Sequence, residues 1–124
     1  MKIFYWAPWI GNVGTIKAVK NSSFILNRYS KGKITTKIID SVGEWQNQKL
    51  GNIINLTNNK IYKYLPKSGY IKSRFTYITI FIFSFLPLLR LIKKEKPDYL
   101  IVQLITSLPI ILNLIFKINT KLIL

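Results

Sequence analysis

The sequence predicts an α/β domain built on a doubly wound parallel sheet. Apolar runs of strand length alternate with segments of helical periodicity along the whole chain. The chain opens with a strand, a helix and a second strand, and such a crossover places its two strands in parallel. Hydrophobic residues make up 49% of the 124 residues, which is enough to bury the core of one domain.

The first unit covers the opening 40 residues. Residues 2–7 form a short apolar run that ends at Pro8, which is typical of a strand buried on both faces. Residues 13–30 follow as a helix, and residues 33–40 form a second strand of β-branched side chains. At 100° per residue, the apolar half of the helix contains Ile16, Ala18, Val19, Ile25, Leu26 and Tyr29. Ser22 and Ser23 lie within or beside this half, and such small residues would allow close approach to a sheet.

The middle of the chain is less regular. Residues 41–51 are loop-like, and residues 52–56 predict a short third strand. Residues 57–70 are polar and contain Pro66 and Gly69, so we expect an irregular connection there.

Residues 70–96 predict one long helix. Its middle, from Phe75 to Leu89, carries no charge, but these 15 residues are fewer than the roughly 20 that span a bilayer. Pro87 is expected to kink the helix, and Pro97 ends it. We interpret it as a helix packed on the sheet, with a peripheral membrane face or a membrane span as the alternatives.

The last segment predicts a fourth strand at residues 98–104 and an apolar helix that ends near Lys117. Thr106 or Ser107 can provide its N-cap. Residues 121–124 begin a fifth strand. Because this leaves the sheet unfinished, we expect a partial domain.

Charge and composition limit the chemistry. The 19 Lys and Arg residues outnumber the 4 Asp and Glu residues, a net charge of +15, which attracts nucleic acid, anionic lipid or phosphorylated small molecules. A coding bias toward Ile, Lys and Asn explains the same composition. The absence of Cys and His excludes a Cys/His zinc site, a His base and a Cys nucleophile. We therefore assign no catalytic residue, metal or cofactor.

Several segments, taken in order, resemble bacterial glycosyltransferases of the large family 4 type. They are the opening run to Gly11 with residues 13–19, then Asp40 to Trp45, then Lys96 to Tyr99 and residues 104–109. The resemblance implies a GT-B enzyme, in which two Rossmann-like domains face a cleft. The N-terminal domain holds the acceptor, and the second domain, absent here, holds the nucleotide sugar and the paired glutamates.

The activity implied by the resemblance is sugar transfer from a nucleotide-sugar donor to a glycan or lipid-linked acceptor during polysaccharide or surface-glycan biosynthesis. Retention at the anomeric carbon, independence of metal and a cytoplasmic location at the inner face of the cell membrane are implied in the same way. The 124-residue chain alone is expected to be an inactive, truncated fragment. Many relatives carry a histidine at the end of the fourth strand, where this sequence has Gln103.

A glycine-containing loop is the first candidate site. Gly11, Asn12, Val13 and Gly14 follow the first strand and open the first helix. Free backbone N–H groups and the positive end of the helix converge there, which favours an anion. The loop is not a complete G-x-G-x-x-G motif, and a plain turn that needs glycine is the alternative.

Two further groups are candidate acceptor contacts. Gln103, Thr106 and Ser107 follow the fourth strand, where their side chains could hydrogen-bond a sugar hydroxyl; helix capping is the alternative. Glu44 and Trp45 follow the second strand. The indole could stack on a sugar ring while the carboxylate accepts a hydroxyl, or Trp45 could be a loop residue packed at the domain edge.

Two other function classes compete with the enzyme. One is a small, basic membrane-associated protein with helices at 75–92 and 106–117. The other is a nucleic-acid-binding module, which the charge favours. Its lysines are scattered and no RNP, zinc-finger or helix-turn-helix pattern is present, so we expect no nucleic-acid partner.

Overall fold

The computed structural model describes residues 1–8, 14–48, 50–57, 61–66 and 68–124. It confirms the predicted class: the chain forms an α/β fold with five parallel strands and three α-helices in its described part, consistent with an incomplete Rossmann-like domain. The regular elements in chain order are β1 (Lys2–Trp6), α1 (Gly14–Tyr29), β2 (Thr35–Asp40), β3 (Ile53–Asn55), α2 (Tyr70–Glu95), β4 (Tyr99–Val102), α3 (Ser107–Phe116) and β5 (Lys121–Ile123).

The strand order across the sheet is β3-β2-β1-β4-β5, and every neighbouring pair is parallel. β1 is central, with Ile3 beside Thr36 of β2 on one side and Tyr99 of β4 on the other. The last four residues of β1 are buried, as expected for a strand covered on both faces. This order matches five strands of a Rossmann sheet.

Helices cover both faces of the sheet, which makes it doubly wound. Alternate side chains of β1 separate the two layers of the core. Phe4 and Trp6 pack with α2 and α3, in a cluster that includes Leu88 and Leu108. Ile3, Tyr5 and Ala7 pack on the opposite face with Ile16 and Val19 of α1.

The contact face of α1 differs from the one the periodicity predicts. Its buried residues are Ile16, Val19 and Ser23, whereas three residues predicted to face the core are exposed: Ala18, Ile25 and Tyr29. Small polar side chains set this face, because the Tyr5 hydroxyl lies 2.6 Å from Ser22 Oγ and Thr36 Oγ1 donates to the Ser23 carbonyl at 3.1 Å. Ile25 is two residues beyond Ser23, roughly 200° around the helix, and therefore faces away.

α2 has two distinct apolar faces. Ile80 and Leu88 lie on the buried face, with Thr76 and Ser84 between them. A second stripe is exposed and consists of Ile71, Phe75, Ile78, Ile82 and Leu86. The helix runs through Pro87 and stops at Lys96, a left-handed residue whose N–H donates to the Ile92 carbonyl at 2.9 Å. Among the described residues, α2 is long and apolar enough to cross a membrane, and 33% of its apolar window is buried.

One part of the sheet is less well covered. On the α1 side, no described helix lies over β4 and β5. Tyr99 and Ile101 are only half-buried there, and Ile123 is 46% exposed. The predicted fourth strand is therefore fully buried on one face only.

Candidate functional site

The carboxyl ends of β1 and β4 form the switch point of the sheet. The chain moves from β1 to β2 on one side and returns to the other side of β1 as β4. In open α/β sheets the connections diverge at such a point and ligands bind there, so we call this edge of the sheet the crevice. The segment Gln103 to Ser107 and the start of α1 at Gly14 both lie at this edge.

The backbone at the end of β4 is held in an unusual conformation. Gln103 N–H donates to the Trp6 carbonyl at 3.0 Å, and Trp6 Nε1–H donates to the Ile105 carbonyl at 3.2 Å. Ile105 has φ of +50°, a left-handed value that β-branched residues rarely adopt. Strained residues of this kind occur where the surrounding structure fixes a loop, often at functional sites. The segment that follows β4 is thus fixed to β1.

Three predicted site residues present free side chains on this segment. Gln103, Thr106 and Ser107 are exposed, and no described residue hydrogen-bonds their side chains. Thr106 is the N-cap residue of α3, but its backbone is helical and its hydroxyl makes no capping bond. The capping alternative therefore does not account for Thr106, and all three side chains can bond a ligand.

The glycine loop falls mainly outside the described residues. Gly11, Asn12 and Val13 are not among them, so their role as an anion cradle stays a prediction. Gly14 is the exposed first residue of α1, and a Cβ placed on it would meet no atom within 4 Å. Packing against the described residues therefore does not require glycine at this position.

Glu44 and Trp45 lie inside the protein rather than on its surface. Trp45 is 0% exposed, packs with the α1-side core and donates from Nε1 to the Ala7 carbonyl at 3.3 Å. Glu44 is 2% exposed, and its carboxyl oxygens accept the N–H groups of Ser41 at 2.9 Å and Val42 at 2.8 Å. The packed-tryptophan interpretation describes this arrangement, and sugar stacking on Trp45 stays a prediction that requires the loop to open.

A buried carboxyl pair at the end of β2 was not predicted from the sequence. Asp40 is 1% exposed, and its Oδ1 accepts the Gly43 N–H at 2.7 Å, which closes a tight turn with Gly43 at φ of +104°. Burial raises the pKa of Glu44 well above its ordinary value, and the charge of Asp40 raises it further. Asp40 Oδ2 is buried and has no donor facing it. When Glu44 is protonated, its hydroxyl can donate to Asp40, and this bond is one of the causes of the raised pKa of Glu44. We call these two residues the Asp40–Glu44 pair.

The pair fixes the loop that precedes the 3₁₀ turn at Gln46–Gln48. Ser41 Oγ hydrogen-bonds Ser84 of α2, and Thr57 Oγ1 donates to the Ser41 carbonyl at 3.0 Å. The signal that could have revealed it is Asp40 at a strand end with glycine three residues later, because Asp side chains often hydrogen-bond the backbone of the turn that follows them. In the described part of the chain, no group of three or more His, Cys, Asp or Glu residues could hold a metal ion.

Searches against known protein families, curated proteins and solved structures give no match to this chain.

Proposed function

We propose that this chain is the acceptor-side part of a GT-B glycosyltransferase, and that a glycan or lipid-linked glycan binds in the crevice between β1 and β4. One observation carries the proposal: the side chains of Gln103, Thr106 and Ser107 are free at the switch point of a sheet that has the Rossmann strand order. The sequence resemblance supports the same assignment. The donor nucleotide sugar would bind to a second domain.

The chemistry available at the crevice is recognition rather than proton transfer. Hydroxyl and amide groups both donate and accept hydrogen bonds, as sugar hydroxyls require. The Asp40–Glu44 pair is buried and engaged with its own loop. This chain would therefore bind and orient the acceptor.

Loss of acceptor binding without loss of stability is expected for Thr106→Ala and Gln103→Ala. Each variant removes one free polar group. For a glycan that binds the natural protein, the affinity should therefore fall about fivefold, which is the effect of losing one net hydrogen bond. An N-cap threonine would instead contribute about 1 kcal/mol to stability. The measurement is a ¹H–¹⁵N NMR titration with a panel of short oligosaccharides of glucose, galactose and N-acetylhexosamines, together with urea unfolding.

The matched control is Gln46→Ala, because Gln46 is also exposed but lies in the 3₁₀ turn beyond the loop of Glu44. Shifts confined to residues near Gln103 and Gly14, and weakened only by the crevice variants, support the proposal. If no glycan in the panel shifts these signals, or if Gln46→Ala weakens binding equally, the acceptor-site proposal is wrong.

A membrane-associated protein without enzymatic activity is the second candidate, and the exposed stripe of α2 favours it. Ile71 is 80% exposed, Ile82 66% and Phe75 61%, so a large apolar surface faces solvent along the helix. Lys72 and Arg74 at one end and Arg90, Lys93 and Lys94 at the other provide cations for anionic headgroups.

Weaker vesicle binding is expected when Ile78 and Ile82 are both replaced by Gln. Each side chain is more than half exposed, so the change removes apolar surface from the stripe with little loss of core packing. The measurement is flotation with vesicles of phosphatidylglycerol and phosphatidylcholine. Phe24→Gln with Ile25→Gln is the control, because these exposed apolar residues lie on α1. Equal flotation of both double variants would exclude α2 as the membrane face.

A further inference from the structure

A second cavity lies at the opposite edge of the sheet from the crevice. Its volume is about 770 Å³, and it opens beside the amino ends of β4 and β5, where α2 and α3 end. Ligand pockets for small molecules usually measure roughly 300–1,000 Å³. The lining residues that matter here are Lys93, Lys96, Lys117, Lys121, Tyr99 and Phe116.

The four lysines have no carboxylate partner in the described part of the chain. The two carboxylates at this edge are used elsewhere: Asp98 Oδ2 accepts the Lys2 N–H at 2.7 Å, and Glu95 lies 3.9 Å from Lys2 Nζ. Four lysines therefore line one concave space, and none of them forms an ion pair with a carboxylate among the described residues. Low-dielectric walls around such a space strengthen its attraction for an anion.

The negative ends of two helices offset part of the positive charge of the lysines, but not all of it. The cavity lies at the carboxyl ends of α2 and α3, where Lys96 and Lys117 are left-handed C-cap residues. Each helix end contributes about half a negative charge. The lining residues carry five positive charges, because Met1 adds its terminal ammonium group to the four lysines. Asp98 and the two helix ends offset about two of these charges, which leaves about three in surplus. A surplus of this size suits a phosphate group.

Aromatic rings give the cavity an apolar side. Lys93 Nζ lies 5.3 Å from the centroid of the Phe116 ring, and Lys121 Nζ lies 5.7 Å from that of Tyr99. These contacts hold two ammonium groups next to ring surfaces. A ligand that places an anion on the lysines would therefore also place its carbon skeleton beside the rings.

We propose that this cavity binds an organic phosphate, with the phosphate between the lysines and the attached apolar or planar group against Phe116 and Tyr99. The site does not depend on the acceptor crevice, because the two lie at opposite edges of the sheet. A soluble phosphate ester and a phospholipid headgroup both have this chemistry.

The test is a fluorescence titration of the full chain with trinitrophenyl-ATP as the probe. Lys93→Gln with Lys121→Gln should weaken probe binding by about tenfold or more, since two charged contacts are lost. The control is Lys17→Gln with Lys63→Gln, which removes the same charge from exposed positions outside the cavity. Phe116→Leu should weaken probe binding more than it weakens binding of inorganic pyrophosphate, measured by competition.

Competition identifies the source of the phosphate. Displacement of the probe by ATP indicates a soluble ester, and displacement by dihexanoyl phosphatidic acid indicates a lipid headgroup. The proposal is overturned if the probe does not bind, if neither competitor displaces it, or if both double variants weaken binding equally. Thermal unfolding of each variant shows whether it has folded. If a lysine variant of the cavity does not fold, Lys96→Asn takes its place, because asparagine tolerates the left-handed C-cap conformation.

Discussion

Glu44→Ala is expected to lower the free energy of unfolding by about 3–5 kcal/mol, because it leaves two buried N–H groups without an acceptor. These groups belong to Ser41 and Val42, which are both 0% exposed, so water cannot replace the carboxyl in the folded state. The same change also removes the carboxyl group next to the buried Asp40 Oδ2. The measurement is urea unfolding followed by circular dichroism.

The pH dependence of the same protein follows from the raised pKa of Glu44. Burial, and then the charge of Asp40, raise this pKa, so the folded state binds the proton more tightly than the unfolded state does. Stability from Glu44 is therefore fully present below the ordinary carboxyl pKa of about 4.5. It is lost as the pH rises from there through the folded-state pKa.

Glu44→Gln separates the pH dependence of stability from the loss of the Glu44 side chain. The amide stays neutral at all pH values. We therefore expect the stability of the natural protein to decline above about pH 4.5, and the stability of this variant not to. Glu95→Gln is the control, since Glu95 is a partly exposed carboxyl whose partner is Lys2. An unchanged pH profile in Glu44→Gln would contradict a raised pKa of Glu44 in the folded protein.

Trp45→Ala is expected to cost about 3–5 kcal/mol of stability, as for other fully buried aromatic residues. Its indole packs in the α1-side core and donates to the Ala7 carbonyl. Trp45→Phe should keep most of the packing and cost less. The measurement is again urea unfolding, with Tyr64→Ala as the control because Tyr64 is 88% exposed. A Trp45→Ala variant as stable as Tyr64→Ala would show that the indole is accessible and would revive the stacking interpretation.

The strands and helices were predictable because each has its own local pattern. β1 ends before Pro8, α2 stops one residue before the predicted Lys96, and β5 begins at Lys121 as expected. The contact face of α1 was predictable in part, since Ile16, Val19 and Ser23 lie where the periodicity placed them, within or beside the apolar half. The exposure of Ile25 and Tyr29 was not predictable, because the hydrogen bonds from Thr36 and Asn52 to Ser23 that orient the helix are long-range contacts.

The candidate site was likewise predictable only in part from the sequence. The position of Gln103 and Ser107 at a strand end was predictable from the alternation of elements. The burial of Glu44 was not, because a glutamate in a loop is ordinarily exposed and only the folded turn places it beside Asp40. The left-handed Ile105 could not be inferred either, since β-branched residues avoid that conformation.

The central position of β1 has a consequence for the order in which the molecule assembles. β1 precedes the other described strands in the sequence, yet one of its two neighbours, β4, is far along the chain, and the Lys2 N–H donates to Asp98 across 96 residues. The β1-α1-β2 unit can form early from local contacts, but the second edge of β1 stays unpaired until β4 has been made. During that interval Phe4 and Trp6 lack the α2 and α3 residues that cover them. Chaperone binding and misassembly of the nascent chain are therefore expected mainly at β1, the strand that is almost fully buried in the folded protein.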